Sequence, residues 1–343
     1  MGYDFLSNKK ILITGGTGSL GRVLVKEVLQ HHPEVIRIFD VDETEQFEFQ
    51  HELKEYKDSI RFLLGDVRDR ERLKRATEGI DIIFHTAALK HVEACEYNPF
   101  EAVKTNILGM QNVIDVAIDN DVSKIIFTSS DKAVNPSNTM GATKLLAEKL
   151  MTSANYYKGA HDCIFSSVRF GNVMGSRGSV IPLFKQQIKS GGPVTITDPT
   201  MTRFMMSVSQ AIDLVFRSTE ISQGGEVFIF KMPVVNISDL ARVLIEELAP
   251  RYGYDSDDIG LEIIGTKPGE KMYEELMTED EAARSLERED MYIIIPEIKE
   301  ELSNFVESMY RATPIRTKDY VSKDVVPING DQIKAILLND RII

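Results

Sequence analysis

The chain has 343 residues, 43% of them hydrophobic, and carries 40 basic against 53 acidic side chains for a net charge of −13. That length suits two domains or one with an appended lobe, and the acidic balance excludes sequence-independent nucleic-acid binding, which depends on neutralising phosphates. Two cysteines (Cys95 and Cys163), no histidine spacing suited to a metal, no signal-peptide pattern and no apolar run near ~20 residues together predict a cytoplasmic protein without disulfides, metal or membrane segment.

Short apolar runs at 11–14, 35–40, 61–65, 80–85, 124–129 and 163–169 read as strands. Several are apolar throughout, as strands covered on both faces are. Helical patterns separate them: Leu20, Val23, Leu24 and Val28 mark one face of the first, and Asn98-Pro99 opens another with proline in its first turn. Repeated strand–helix alternation predicts a doubly wound parallel α/β sheet. Beyond residue 172 the loop signals Gly175–Ser179 and Gly191-Gly192-Pro193 break the pattern, and a helix near 211–219 and a strand near 226–230 return the chain to the first unit. The expected division is a dinucleotide-binding domain at 1–173, rejoined at about 205–232, with a smaller lobe from 174–204 and 233–343.

Gly15-Gly16-Thr17-Gly18-Ser19-Leu20-Gly21 follows the first strand and opens the first helix. Glycine permits a tight turn and close approach of backbone to a pyrophosphate, whose charge favours a helix N-terminus. An ordinary glycine-rich turn is the bland alternative, but the strand–glycine–helix context and the acid after the second strand favour the dinucleotide site. That acid, Asp40, suits adenosine ribose hydroxyls and repels a 2′-phosphate, so NAD is expected rather than NADP. Asp42 and Glu43 beside it leave open a merely solvated turn.

Thr128-Ser129-Ser130-Asp131-Lys132 ends the fifth strand, at the sheet edge where such folds bind ligands. Met140 and Lys144 follow, four apart and so on one helix face. Singly, each has a structural explanation: Asp131-Lys132 as a surface ion pair, Met140 as core packing, Lys144 as a solvated lysine. Together, beside a nucleotide motif, they point to an active site.

Further motifs run through Phe84–Val92, Glu96–Pro99, Lys104-Thr105-Asn106, Asp131–Pro136, Gly141–Lys144, Arg169–Val173, Gly175–Pro182, Met201–Phe204 and Lys267–Lys271. With these the chain resembles the UDP-N-acetylglucosamine 4,6-dehydratases, extended short-chain dehydrogenases of polysaccharide biosynthesis. The resemblance is continuous from about residue 9 to 280. The usual Tyr-x-x-x-Lys of that superfamily here has Met140 in place of tyrosine, as in one branch of the family.

The resemblance implies a lyase that oxidises the sugar at C4, removes the C5 proton, expels water and returns the hydride to C6. It implies Ser130 on the C4 oxygen, Asp131 as proton donor to the leaving hydroxyl, and Lys132 as C5 base, a role that calls for a depressed lysine pKa. Met140 has no useful basicity, so the C4 hydroxyl proton is expected to pass to Asp131 through Ser130 or a water. Lys144 would hold the nicotinamide ribose. Asp66 and Val67 would line the adenine, with Ala87, Ala88, Lys90 and Thr105 along a tightly bound, recycled NAD. Lys90, Ser130, Asn172, Arg203 and Glu270 would contact the nucleotide sugar, covered by Val180, Ile181 and Pro182. A structural ion pair is the alternative for Arg203 and Glu270. Competing readings are a C4 epimerase, which has no need of Asp131-Lys132, and a non-catalytic NAD-binding scaffold, which Met140 favours. A homo-oligomer is expected through helices near 100–118 and 140–157. C5 inversion or retention, and the exact sugar, stay open.

Overall fold

The computed structural model describes residues 3–176, 178–266, 269–296, 310, 312–315 and 319–343. Arg177, Lys267 and Pro268 of the motifs above lie outside the described residues, as does most of the tail from 297 to 318. The first half supplies strands β1 (Lys10–Thr14), β2 (Val35–Asp40), β3 (Ile60–Leu64), β4 (Ile82–His85), β5 (Lys124–Thr128) and β6 (Ile164–Arg169). The second supplies β7 (Asn172–Val173), β8 (Val194–Ile196), β9 (Thr202–Met206), β10 (Val227–Phe230), β11 (Val234–Asn236), β12 (Leu261–Ile263) and β13 (Glu275–Met277), then β14 (Ser285–Glu287), β15 (Met291–Ile294), β16 (Thr313–Pro314) and β17 (Tyr320–Val321).

Among the described residues the main sheet has ten strands, in the order β16-β14-β15-β10-β6-β5-β4-β1-β2-β3. Strands β1 to β6 and β10 are parallel. The continuous apolar runs follow from two cores, one on each face. Ile11, Ile13, Ile38, Phe84 and Ile126 point into one core, and Leu12, Phe39, Ile83, Ile125 and Phe127 into the other. Helices α1 (Ser19–Leu29) and α9 (Val208–Ile221) contribute Leu24, Val28, Ile212 and Val215 to the first core. The second receives Leu73, Val113, Ile114, Ala147 and Met151 from α3 (Arg70–Thr77), α6 (Gly109–Asp119) and α7 (Thr139–Tyr157). At about 25 cal/mol per Å² of apolar surface, such two-sided burial stabilises each strand residue, so period-2 polar alternation is absent.

A third core joins α8 (Val180–Lys189), α10 (Ile237–Leu248) and the helix Gly330–Asn339 through Phe184, Ile188, Leu240, Leu244, Ile333 and Leu337. A small sheet, β11-β9-β7, contributes Met205 and Val235 to this core and Phe204, Met206 and Val234 to the first. One feature departs from the sequence expectation. Strands β14, β15 and β16, which fall in the stretch expected to belong to the smaller lobe, extend the main sheet: β15 pairs antiparallel with β10, β14 with β15, and β16 with β14. Met291, Tyr292, Ile293 and Ile294 are all buried there and cover what would otherwise be an exposed β10 edge. Among the described residues no helix is long and apolar enough to cross a membrane, and no His/Cys/Asp/Glu cluster could hold a metal. Cys95 and Cys163 are free and buried.

Candidate active site

The glycine loop turns tightly between β1 and α1. Gly15 has φ +68°, and a Cβ on it would fall 2.6 Å from the Ala87 backbone nitrogen, so only glycine lets the two loops meet. At Gly18 an added Cβ would meet only the Gly15 oxygen, at 3.1 Å, and otherwise occupy open space. Gly18 is the N-cap of α1 and makes no side-chain cap bond, which leaves the helix start suited to an anion. Gly21 packs against the Gly15 carbonyl. Asp40, at the end of β2, accepts a bond from the Thr17 amide at 3.0 Å and so sits at this loop. Ser19 and Leu20 begin the helix behind it.

Asp66 follows β3. Burial raises its carboxyl, but bonds from Arg68 (2.7 Å from Nε) more than offset this and hold it below the usual range. Arg68 thus occupies the carboxylate expected to meet adenine. Val67 is buried against Gly109. Ala87 and Ala88 lie after β4 opposite the glycine loop, with Lys90 exposed beyond them. Thr105 lies in a π-helical turn (Val103–Leu108) ahead of α6. The same turn places buried Asn106 to bond Leu89 N at 2.8 Å and Thr143 Oγ1 at 2.9 Å, which ties that loop to α7.

The segment after β5 brings three predicted residues together. Ser130 Oγ donates to Asp131 Oδ1 at 2.6 Å, and Lys132 Nζ donates to Asp131 Oδ1 and Oδ2 at 3.0 and 3.1 Å. Asp131 is 4% exposed and Lys132 about a third, 31%, so the pair opens to solvent only from the lysine side. The expectation of a depressed Lys132 is overturned. Burial pulls it down, but the Asp131 and Glu274 carboxylates outweigh burial and hold it above its ordinary value.

Helix α7 begins at the Asn138 cap, which accepts from Gly141 N at 2.8 Å. Lys144, one turn on, is buried; its Nζ donates to Thr128 O at 3.0 Å and lies 4.6 Å from the Phe127 ring centroid. Burial lowers it to about 8. Met140 is also buried, packed with Cys95, Ala102 and Val92. It therefore serves as apolar packing in the position of the missing tyrosine and does no acid–base work.

The expected sugar-diphosphate residues are engaged with one another. Arg203 in β9 pairs with Glu270 at 3.5 Å and with Glu274 at 3.5 Å. Asn172 Nδ2 donates to Glu274 Oε1 at 2.6 Å and to Phe204 O at 3.1 Å, so its amide nitrogen does not reach outward as expected. Val180, Ile181 and Pro182 form the first turn of α8, with Ile181 buried in the third core. Glu274 is a central residue that sequence reading missed. Its only signal was an acid three residues beyond the Lys267–Lys271 motif.

Residues 11–296 match the family described as "Polysaccharide biosynthesis protein". The chain is 43% identical over 295 residues to an inverting UDP-N-acetylglucosamine 4,6-dehydratase of Campylobacter jejuni, covering 85% of this chain and 84% of that one. It is also 39% identical over 338 residues to a UDP-glucose 4-epimerase of Rickettsia conorii, covering 96% of each. The solved structure of Pen from Bacillus thuringiensis superposes with TM-score 0.92 at 48% identity, over 99% of both chains.

Proposed function

The chain belongs to the polysaccharide biosynthesis protein family, and from that premise we propose that it dehydrates UDP-N-acetylglucosamine to a UDP-4-keto-6-deoxy-N-acetylhexosamine. The observation that carries this reading is the Ser130–Asp131–Lys132 hydrogen-bonded chain at the carboxyl end of β5. The similarity to the Campylobacter dehydratase supports it.

The glycine loop, the uncapped start of α1 and Asp40 fit a dinucleotide with free ribose hydroxyls, so NAD is assigned over NADP. When bound, NAD supplies a reversible hydride acceptor for C4 and donor for C6. Lys144, buried and cationic below about pH 8, anchors the ribose and adds positive charge. The short bond from Ser130 to Asp131 is a path for the C4 hydroxyl proton, which ends on Asp131. Protonation of Asp131 removes the carboxylate that holds Lys132 as an ammonium. Burial then pulls Lys132 toward the free amine, and its partly exposed side chain releases the ammonium proton to water. The amine takes the C5 proton. Asp131 passes its proton to the departing C6 hydroxyl, which leaves as water, and C5 is reprotonated at the end.

In this reading Arg203 meets the diphosphate and Glu270 the uridine ribose once their mutual ion pair opens. The first turn of α8 lies where its backbone amides suit an anion. Exposed Phe100, Leu108, Leu146 and Tyr157 support self-association along the helices around 100–118 and 140–157, which sedimentation would test.

The test is mass spectrometry and proton NMR of UDP-N-acetylglucosamine incubated with the enzyme in deuterated water. Loss of one water, a C6 methyl signal and deuterium at C5 are expected, and C5 stereochemistry distinguishes inversion from retention. The second reading, a C4 epimerase, is favoured by the similarity to the Rickettsia epimerase. Unchanged mass with a galacto-configured product would establish it. No turnover across a panel of UDP-sugars would sink both and leave the non-catalytic reading.

A further inference from the structure

Glu274 has no role in the steps above, yet it joins the two halves of the site. The residue is 4% exposed. Oε1 accepts from Asn172 at 2.6 Å, Oε2 accepts from Phe204 N at 2.9 Å, and Arg203 Nε lies 3.5 Å from Oε1. One buried carboxylate is thereby tied to both β7 and β9. The chain around it is clamped to the catalytic turn: Lys271 Nζ donates to Val134 O at 2.8 Å, and Asn135 Nδ2 donates to Glu275 Oε2 at 2.7 Å. The charged groups around Glu274 are Asp131 and Lys132 from that turn and Arg203 from β9, with Glu270, Lys271 and Glu275 on its own segment. Ser322, next to β17, holds its backbone amide at 2.9 Å.

We propose that Glu274 is a positioning residue that couples the Arg203 clamp to the Asp131–Lys132 pair: a nucleotide-sugar diphosphate that draws Arg203 away leaves this carboxylate with less positive charge beside it, and it takes up a proton. The inference rests on the nucleotide-sugar reading above. Burial, with Asp131 nearby, already pushes Glu274 up to about 7, while Lys132 and Arg203 restrain it. Removing Arg203 therefore raises it further. A neutral Glu274 no longer supports the ammonium form of Lys132. Substrate binding thus loosens the proton on Lys132 without releasing it, and Asp131 protonation later completes the discharge.

The experiment is calorimetry of the NAD-loaded enzyme at pH 7 with UDP-xylose, in two buffers of different ionisation enthalpy. This probe has the diphosphate but no C6 hydroxyl to lose, and no group of its own titrating near pH 7. Binding to the wild type should take up on the order of half a proton. Glu274→Gln should bind with uptake near zero, and Glu274→Asp should restore part of it, which a merely structural role would not do. Wild-type binding without proton uptake, or equal uptake in Glu274→Gln, overturns the proposal. Absence of any binding heat in the wild type would instead strike the nucleotide-sugar reading, and the inference with it.

Discussion

Replacing Asp131 with Asn tests whether one carboxylate serves both ends of the reaction. The change preserves volume, and the amide oxygen can still accept from Ser130, which now stands 2.6 Å away. What is lost is the proton acceptor and the counter-charge that Lys132 meets at 3.0 and 3.1 Å. General acid–base roles are each worth about 10²–10⁴ in rate. Asp131 is assigned two, at the C4 oxygen and at the C6 hydroxyl, so kcat should fall at least ~10³-fold, or about 4 kcal/mol of barrier. Lys132 should move the other way, toward the free amine, because its first counter-charge is gone. The variant would then hold a competent base and still fail. A single-turnover experiment in deuterated water, following the near-ultraviolet absorbance of reduced nicotinamide and deuterium at C5, separates the steps. Neither signal is expected. Accumulation of reduced nicotinamide with a 4-keto sugar would show that C4 oxidation proceeds without Asp131, and the double role would be refuted.

Lys144→Met probes a buried charge. Burial lowers Lys144 from 10.5 to about 8, so between those pH values the unfolded chain holds a proton that the folded one has released. Wild-type stability from this group therefore rises from pH 8 to 10.5 and is lowest below 8. The wild-type-minus-variant difference in urea denaturation should change by on the order of 3 kcal/mol across that window, and a flat difference would contradict the burial argument. Arg169→Met strands Glu148 and Glu281, which the fully buried guanidinium bonds at 2.6–3.0 Å, and should cost about 3–5 kcal/mol in chemical denaturation. A loss below ~1 kcal/mol would mean that the carboxylates find other partners or protonate without penalty. Gly15→Ala places a Cβ 2.6 Å from Ala87 N at a φ of +68°. It should weaken NAD retention on desalting on the order of tenfold or more while circular dichroism stays that of the wild type.

The parallel half of the fold was readable because each strand is covered twice. Leu12 faces one core and Ile11 and Ile13 the other, so the run is apolar without interruption. β14 and β16 are too short, at three and two residues, to show a period, and β15 joins the sheet only through tertiary pairing with β10. At the site, Ser130, Asp131 and Lys132 were readable because neighbours in sequence are neighbours in space at a strand end. Glu274 was not, since it meets Asn172 across 102 residues. The charge on Lys132 was misjudged because the pull of burial was set above that of the neighbouring Asp131 carboxylate, which Glu274 reinforces from a distance. Asn172 shows the converse, a residue of the expected type whose amide is spent on Glu274 and the Phe204 carbonyl.

The antiparallel extension of the main sheet constrains anyone who would re-engineer specificity. The stretch that reaches β15 first passes through Glu270, Glu274 and β13, so one continuous length of backbone carries the partners of Arg203 and then seals the edge of the main sheet. A chimera that exchanges everything after residue 233 would import a foreign sheet edge along with the new pocket. Grafts have the best prospect when they stop before Ser285 and keep β14 and β15 from the recipient, or when they carry β10 together with its antiparallel partner.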